Sequence, residues 1–258
     1  MFGTPSFSNL TPVIKNLIII NVLFFLATIS FQNLGIDLTN YFGLHQFQSP
    51  KFMPHQLVTH MFMHGSFTHL VFNMLGIFFL GVILEKVWGG KRFLTFYLIT
   101  GLGAALIYLG YIQFQISSLS NNMTSEEINI FINISDEQIE DYSEPKIRTL
   151  EEIEKIKMIN SSPKLFSLIH TPMVGASGAV YGILLAFGML FPNTQLMLLF
   201  PPIPIKSKYL VLIAAITALF LGLGNHPGDN IAHFAHLGGM IFGFIIIKYW
   251  KQDRNTFY

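Results

Sequence analysis

The sequence predicts an all-α polytopic membrane protein, a bundle of six transmembrane helices, and three observations carry that prediction. Hydrophobic residues occupy 52% of the 258 positions and charged residues only 11%, against about 25% charge in an average soluble domain. Several apolar runs approach the roughly 20 residues that cross a bilayer. The few basic residues gather in alternate connections, which is the pattern the positive-inside rule requires of a multi-pass chain.

Taken in order, the predicted spans are Val13–Phe31, His69–Leu84, Phe93–Phe114, Ala176–Phe191, Tyr209–Gly224 and Ile231–Trp250. The first run lacks a short apolar core with a small-residue cleavage site, and further spans follow it, so it reads as a span and not as a signal peptide. Residues 32–68 are too many for a turn and too apolar for a flexible linker. Pro50, Phe52, Met53, Pro54, Leu57, Met61, Phe62, Met63 and Phe67 predict a first loop that lies in the membrane interface. The fourth span is short, so its start is expected below the membrane surface, covered by protein or facing a watery cavity.

Residues 115–172 contain ten Asp/Glu and five Lys/Arg. They predict a long acidic insertion between the third and fourth spans, inside a single membrane domain covering 1–258. Ile128–Ile139 has some apolar periodicity, and Leu150–Ile159 reads as an amphipathic helix with i,i+4 charge pairs. Solvation is the plain reading of its acidity, and substrate recognition is the functional one. Lys15, then Lys86, Lys91 and Arg92, then Lys206 and Lys208, then Lys248, Lys251 and Arg254 would all share one side, with Lys51 alone opposite. Both termini are therefore expected in the cytoplasm of a cell-membrane protein, with the insertion outside. A net charge of +1 gives no basis for a nucleic-acid partner. The lack of cysteine excludes disulfides, thiol catalysis and cysteine-ligated metals.

Gly175-Ala-Ser-Gly-Ala-Val-Tyr-Gly182 opens the fourth span, with Ser177 as the hydroxyl at its entrance and Pro172 upstream to break the preceding chain. A serine at a helix N-terminus sits where unpaired N–H groups and the dipole favour a developing anion. Gly178 and Gly182 also form G-x-x-x-G, which in a membrane helix signals close packing. Both readings stand at this point.

Polar groups inside spans are costly and are functional candidates by default. His69 and Asn73 share one face of the second span, a pair of directed donors or an interhelical hydrogen bond. His236 lies in the sixth span with Gly239 and Gly243 on its face, where glycine permits close approach of another helix. His233 is the competing base. His60 and His64 sit four apart in the first loop; with no carboxylate or cysteine near them they read as loop-stiffening groups, not metal ligands.

The set His69-x-x-x-Asn73, Gly175-Ala-Ser177-Gly178 and Ala235-His236-x-x-Gly239, in that order on spans two, four and six, resembles the rhomboid intramembrane serine proteases. Thr59-His60-Met-Phe-Met-His64-Gly-Ser-Phe-Thr-His69 resembles their first loop. Two features depart from the family pattern: the Trp-Arg pair often found early in that loop is His55-Gln56 here, and the insertion is long. The resemblance implies a Ser177–His236 dyad without an acidic third member. It implies an oxyanion hole of His69, Asn73 and the backbone N–H groups near Ala176 and Ser177. It assigns Tyr181 to orienting the His236 ring, with Gly175, Gly178 and Gly239 in support. It further implies a cofactor-free, metal-free endopeptidase opening to the extracytoplasmic side. Such an enzyme would cut single-pass membrane proteins that enter laterally near the fifth helix and the loop Asn225–Asn230. The alternatives are a non-catalytic rhomboid-like protein that binds membrane clients, and a transporter that uses the histidines as a proton relay.

Overall fold

The computed structural model describes residues 10–134, 150–198, 201–224 and 233–252. The predicted loop Asn225–Asn230 and the C-terminal Arg254 lie outside them. Among the described residues, four helices are long and apolar enough to cross a membrane: α1 (Pro12–Gln32), α4 (Phe67–Trp88), α5 (Gly90–Leu119) and α10 (Ser207–Gly224). Two more coincide with the remaining predicted spans: the short apolar α9 (Ser177–Leu190) and α11 (His233–Gln252).

Pro12 occupies the first turn of α1, where a missing N–H costs nothing. The first turn of α1 is then capped from α4: the buried Glu85 carboxylate accepts from Val13 N at 3.0 Å, Ile14 N at 2.9 Å and the Thr11 hydroxyl. Three donors on one carboxylate satisfy orphan N–H groups that apolar surroundings would leave bare. Ser66 caps α4 by accepting from His69 N at 3.1 Å. A π-helical stretch, Ile77–Gly81, lies within α4. Gly81 there is pressed against Ile14 and Phe93, so that an added Cβ would come within 2.6 Å of Ile14 Cδ1.

The centre of the bundle is α5, α9 and α11, which pack chiefly on one another. Small residues make this possible. An added Cβ at Gly178 would meet Ala104, at Gly182 Thr100, and at Gly103 the Phe242 ring, all at under 3 Å. Beside them lies an apolar core that includes Phe93, Phe96, Trp88, Ile183 and Phe187. By contrast α10 buries only Ser207 and Ala218 and turns Leu212, Ile216, Phe220 and Leu223 outward.

The first loop folds as α2 (Thr39–Phe42), α3 (Gln56–Thr59) and a 3-10 turn, His60–Phe62. Fully buried Gln56 is its hub: Oε1 accepts from Met53 N at 3.1 Å and His45 N at 3.3 Å, while Nε2 donates to Lys51 O at 2.8 Å. In the insertion, α6 (Ser125–Asn133) starts with a reciprocal Thr124–Glu127 capping box. Helices α7 (Leu150–Ser161) and α8 (Pro163–His170) follow. Several details depart from the sequence expectation. Helix α5 runs five residues beyond Phe114, because Ile112 and Ile116 pack on Phe131, Leu165 and Ile169 of the insertion. Helix α6 begins earlier than the periodic stretch at Ile128. A two-stranded antiparallel hairpin, β1 (Gln195–Met197) and β2 (Pro204–Lys206), joins α9 to α10 in a chain read as all-α.

Candidate active site

Ser177 is the first residue of α9, with buried Ala176 before it and no side chain capping the helix. The first-turn N–H groups thus have no side-chain partner. The segment leading to Ser177 is gripped by the first loop. Leu44 and Met173 exchange both backbone hydrogen bonds at 2.9 Å, and Gly175 N donates to His60 O at 2.9 Å. Gly175 has φ +119, a conformation that suits glycine. The His69 ring lies against it, so that an added Cβ would come within 2.6 Å of Cε1.

His236 stands one turn into α11. Its Nε2 is 2.9 Å from Ser177 Oγ, and its ring stacks on Tyr181, with centroids 4.0 Å apart and an interplanar angle of 6°. Among the described residues nothing bonds its Nδ1. What brings α11 this close is Gly239, one turn after His236, which touches the Gly178 carbonyl where no side chain would fit. The G-x-x-x-G pair therefore packs helices and adjoins Ser177. His233 sits edge-on to His236, ring centroids 6.1 Å apart.

Asn73 is buried on α4, and its Nδ2 donates to His69 O at 3.0 Å. That uses one of its two amide hydrogens and leaves the second. A small pocket beside Ser177 is lined in part by His60, Met61, Gly101, Met173 and Ala235. His60 Nδ1 bonds Gln56 O at 2.9 Å, and burial pushes the imidazole down to about 4. His64 is likewise held at about 4 by burial and by nearby His69, against which its ring packs edge-on at 5.1 Å. Both are neutral at pH 7. Among the described residues no three His, Asp or Glu side chains converge as metal ligands. Sequence reasoning did not reach the Gln56 hub or the Leu44–Met173 pairing. The hub was legible only as an amide among apolar neighbours, and the pairing had no signal in the sequence.

The family model described as the rhomboid domain matches residues 51–117 and 157–252. The chain belongs to the rhomboid family. Curated rhomboid relatives match at modest identity. The rhomboid protease AarA of Providencia stuartii is 28% identical over 193 residues, covering 72% of this chain and 52% of its own length. RHOMBOID-like protein 4 of Arabidopsis thaliana is 26% identical over 191 residues, 74% of this chain and 32% of its own. The mitochondrial Rhomboid protein 1 of Saccharomyces cerevisiae is 24% identical over 199 residues, 75% and 42% respectively. This chain thus spans about half the length, or less, of these rhomboid relatives. Family and apolar helices together make it a membrane protein.

Proposed function

We propose that this rhomboid is an intramembrane serine endopeptidase that cuts transmembrane segments of other membrane proteins through an acyl-enzyme. The observation that carries the reading is the 2.9 Å contact between Ser177 Oγ and His236 Nε2. In the proposed reaction, neutral His236 accepts the Ser177 proton on Nε2 as Oγ attacks the peptide carbonyl carbon. The C–N bond then breaks, the imidazolium gives its proton to the leaving amine, and the acyl group stays on Oγ. Water, deprotonated by the same imidazole, hydrolyses the ester and restores the serine. The Tyr181 stack fixes the orientation of the ring, a task that a carboxylate performs in a triad. The oxyanion is assigned to the free Asn73 amide hydrogen, His69 and the N–H groups near Ala176 and Ser177. Gly175 N is excluded because it already serves His60 O. Donors fixed in advance in a low-dielectric site are worth more than in bulk water.

The reading takes the six helices α1, α4, α5, α9, α10 and α11 as the transmembrane bundle of a cell-membrane protein. The basic connections support cytoplasmic termini and a site open to the opposite side. Substrates meet such a site laterally. A helical carbonyl is masked by its own hydrogen bond, so the cut segment must unwind easily, which favours glycine, proline or polar residues. The sparse packing of α10 supports entry on its side.

A serine-reactive fluorophosphonate probe on the purified protein in lipid tests the reading. Labelling at Ser177 that disappears in both Ser177→Ala and His236→Ala is the expected result. A non-catalytic client-binding protein, or a proton-coupled transporter, leaves Ser177 unlabelled in the wild type.

A further inference from the structure

We propose that α6 and α8 brace the segment that leads to the nucleophile, with His170 as the positioning residue; this rests on the protease reading of Ser177. The brace joins Ile112, Ile116, Leu165, Ile169 and His170, which lie inside the stretches that match the family model, to Phe131, which falls between them. It has its own apolar core: Ile112 and Ile116 at the end of α5, Phe131 from α6, and Leu165 and Ile169 from α8, all at most 5% exposed. A solvated acidic loop needs no such core.

His170 ends α8 and is the polar member of this cluster. It is buried, its ring stacks on Phe166 with centroids 4.4 Å apart, and Nε2 lies 2.6 Å from the carbonyl oxygen of Phe131. Phe131 belongs to the last turns of α6, where helix carbonyls look outward for donors. A buried imidazole N–H is costly without an acceptor, so the bond and the stack together set where α8 stops. From that point residues 171–176 lead to Ser177. Downstream it is held by Leu44 at Met173 and by His60 at Gly175; upstream, His170 is the anchor.

The reference frame of the brace is the helix that bears the other half of the site. Tyr111, on the same end of α5, stacks on Phe234 of α11 with centroids 4.0 Å apart at 27°. Phe234 is two residues before His236. His170 therefore registers the serine segment against an α5 end that is itself tied to the start of the histidine helix.

The test compares wild type, His170→Ala and His170→Gln in lipid, by amide hydrogen exchange of residues 171–176 and by the probe-labelling rate of Ser177. In His170→Ala we expect both exchange of this segment to rise and labelling to fall by about tenfold, the weight of roughly one buried hydrogen bond. In His170→Gln, whose amide can reach the same carbonyl, we expect both near wild type, with KM for a transmembrane substrate unchanged throughout. Wild-type exchange in His170→Ala overturns the proposal. So does faster exchange accompanied by wild-type labelling per folded molecule, or a loss that Gln does not restore. Exchange is read whether or not the wild type labels, so failure of the protease reading shows separately as an unlabelled wild type with an intact exchange pattern.

Discussion

Gly239→Ala is the sharpest perturbation available to the Ser177–His236 contact, because the obstacle it meets is backbone. The new Cβ would lie 1.9 Å from the Gly178 carbonyl oxygen, and contacts under 3.0 Å are essentially never seen for a real Cβ. A carbonyl inside α9 cannot rotate away as a side chain can, so α9 and α11 must part by about 1.1 Å. Gly239 lies one turn from His236, and Gly178 adjoins Ser177, so the separation passes almost undiminished to the reacting pair. The 2.9 Å contact lengthens to about 4 Å, beyond hydrogen-bond reach. A misplacement near 1 Å is worth roughly 100-fold in rate. The assay is the probe-labelling rate of Ser177 with cleavage of a transmembrane substrate, alongside thermal unfolding to count folded molecules. Two controls grade the effect. At Gly243 the added Cβ would stand 3.2 Å from the Phe96 ring and 3.4 Å from Gly182 Cα, so Gly243→Ala should lose less than about tenfold. Gly110 has nothing within 4 Å, so Gly110→Ala should keep full activity and gain up to about 1 kcal/mol of helix stability. Labelling of Gly239→Ala at the wild-type rate would refute the reasoning, since the helices would then have parted without consequence.

Three further outcomes follow from other contacts. Asn73→Ala should lower kcat by about 100- to 1000-fold, the loss typical of one oxyanion donor, with thermal stability little changed; a wild-type kcat removes Asn73 from the oxyanion hole. Glu85→Ala strands the N–H groups of Val13 and Ile14, at about 1–3 kcal/mol each. The melting temperature in detergent should drop, while the rate per folded molecule holds, because Glu85 lies about 24 Å along α4 from His69. His60 is neutral when folded, with its imidazole depressed from 6.5 to about 4. Below pH 6.5 the unfolded chain takes up a proton that the folded chain refuses, so the stability present above that pH is lost as pH falls toward 4. The loss is about 3 kcal/mol for this group, and an unfolding profile measured from pH 7 to 4 should flatten in His60→Gln.

What could be read from the sequence, and what could not, divides along a physical line. Apolar runs and their polar intruders mark where helices lie in a bilayer, because water-to-lipid transfer is a local property of each segment. So the helices carrying His69, Ser177 and His236 were legible to within a few residues. Elements whose reason to exist is a distant contact were not. Hydropathy stops α5 at Phe114, but Ile112 and Ile116 continue it because the insertion covers them. Pro163 at a helix start, with Leu165 and Ile169 one turn apart, was a readable sign of α8 that its shortness obscured. The hairpin Gln195–Lys206 is three residues a side among prolines, too short for a period. Glu85 stands at the end of a span beside Lys86 and looks like a solvated boundary; only the approach of α1 turns it into a cap.

On the proposed protease reading, the same line explains how the Ser177–His236 pair works without a carboxylate. A third acidic member would have to be buried beside α9 and α11, and an unpaired carboxylate in hydrocarbon is expensive. Here orientation comes from surfaces that carry no charge. Gly239 on Gly178 sets the distance, and Tyr181 flat on His236 sets the angle. Both are contact interactions, strong when packing is tight and lost over about an ångström. The rate of such a site should therefore depend steeply on helix packing and weakly on ionic strength. Raising salt should leave the labelling rate of Ser177 flat, while each methyl group inserted between α9 and α11 should lower it in the order of the clashes it creates.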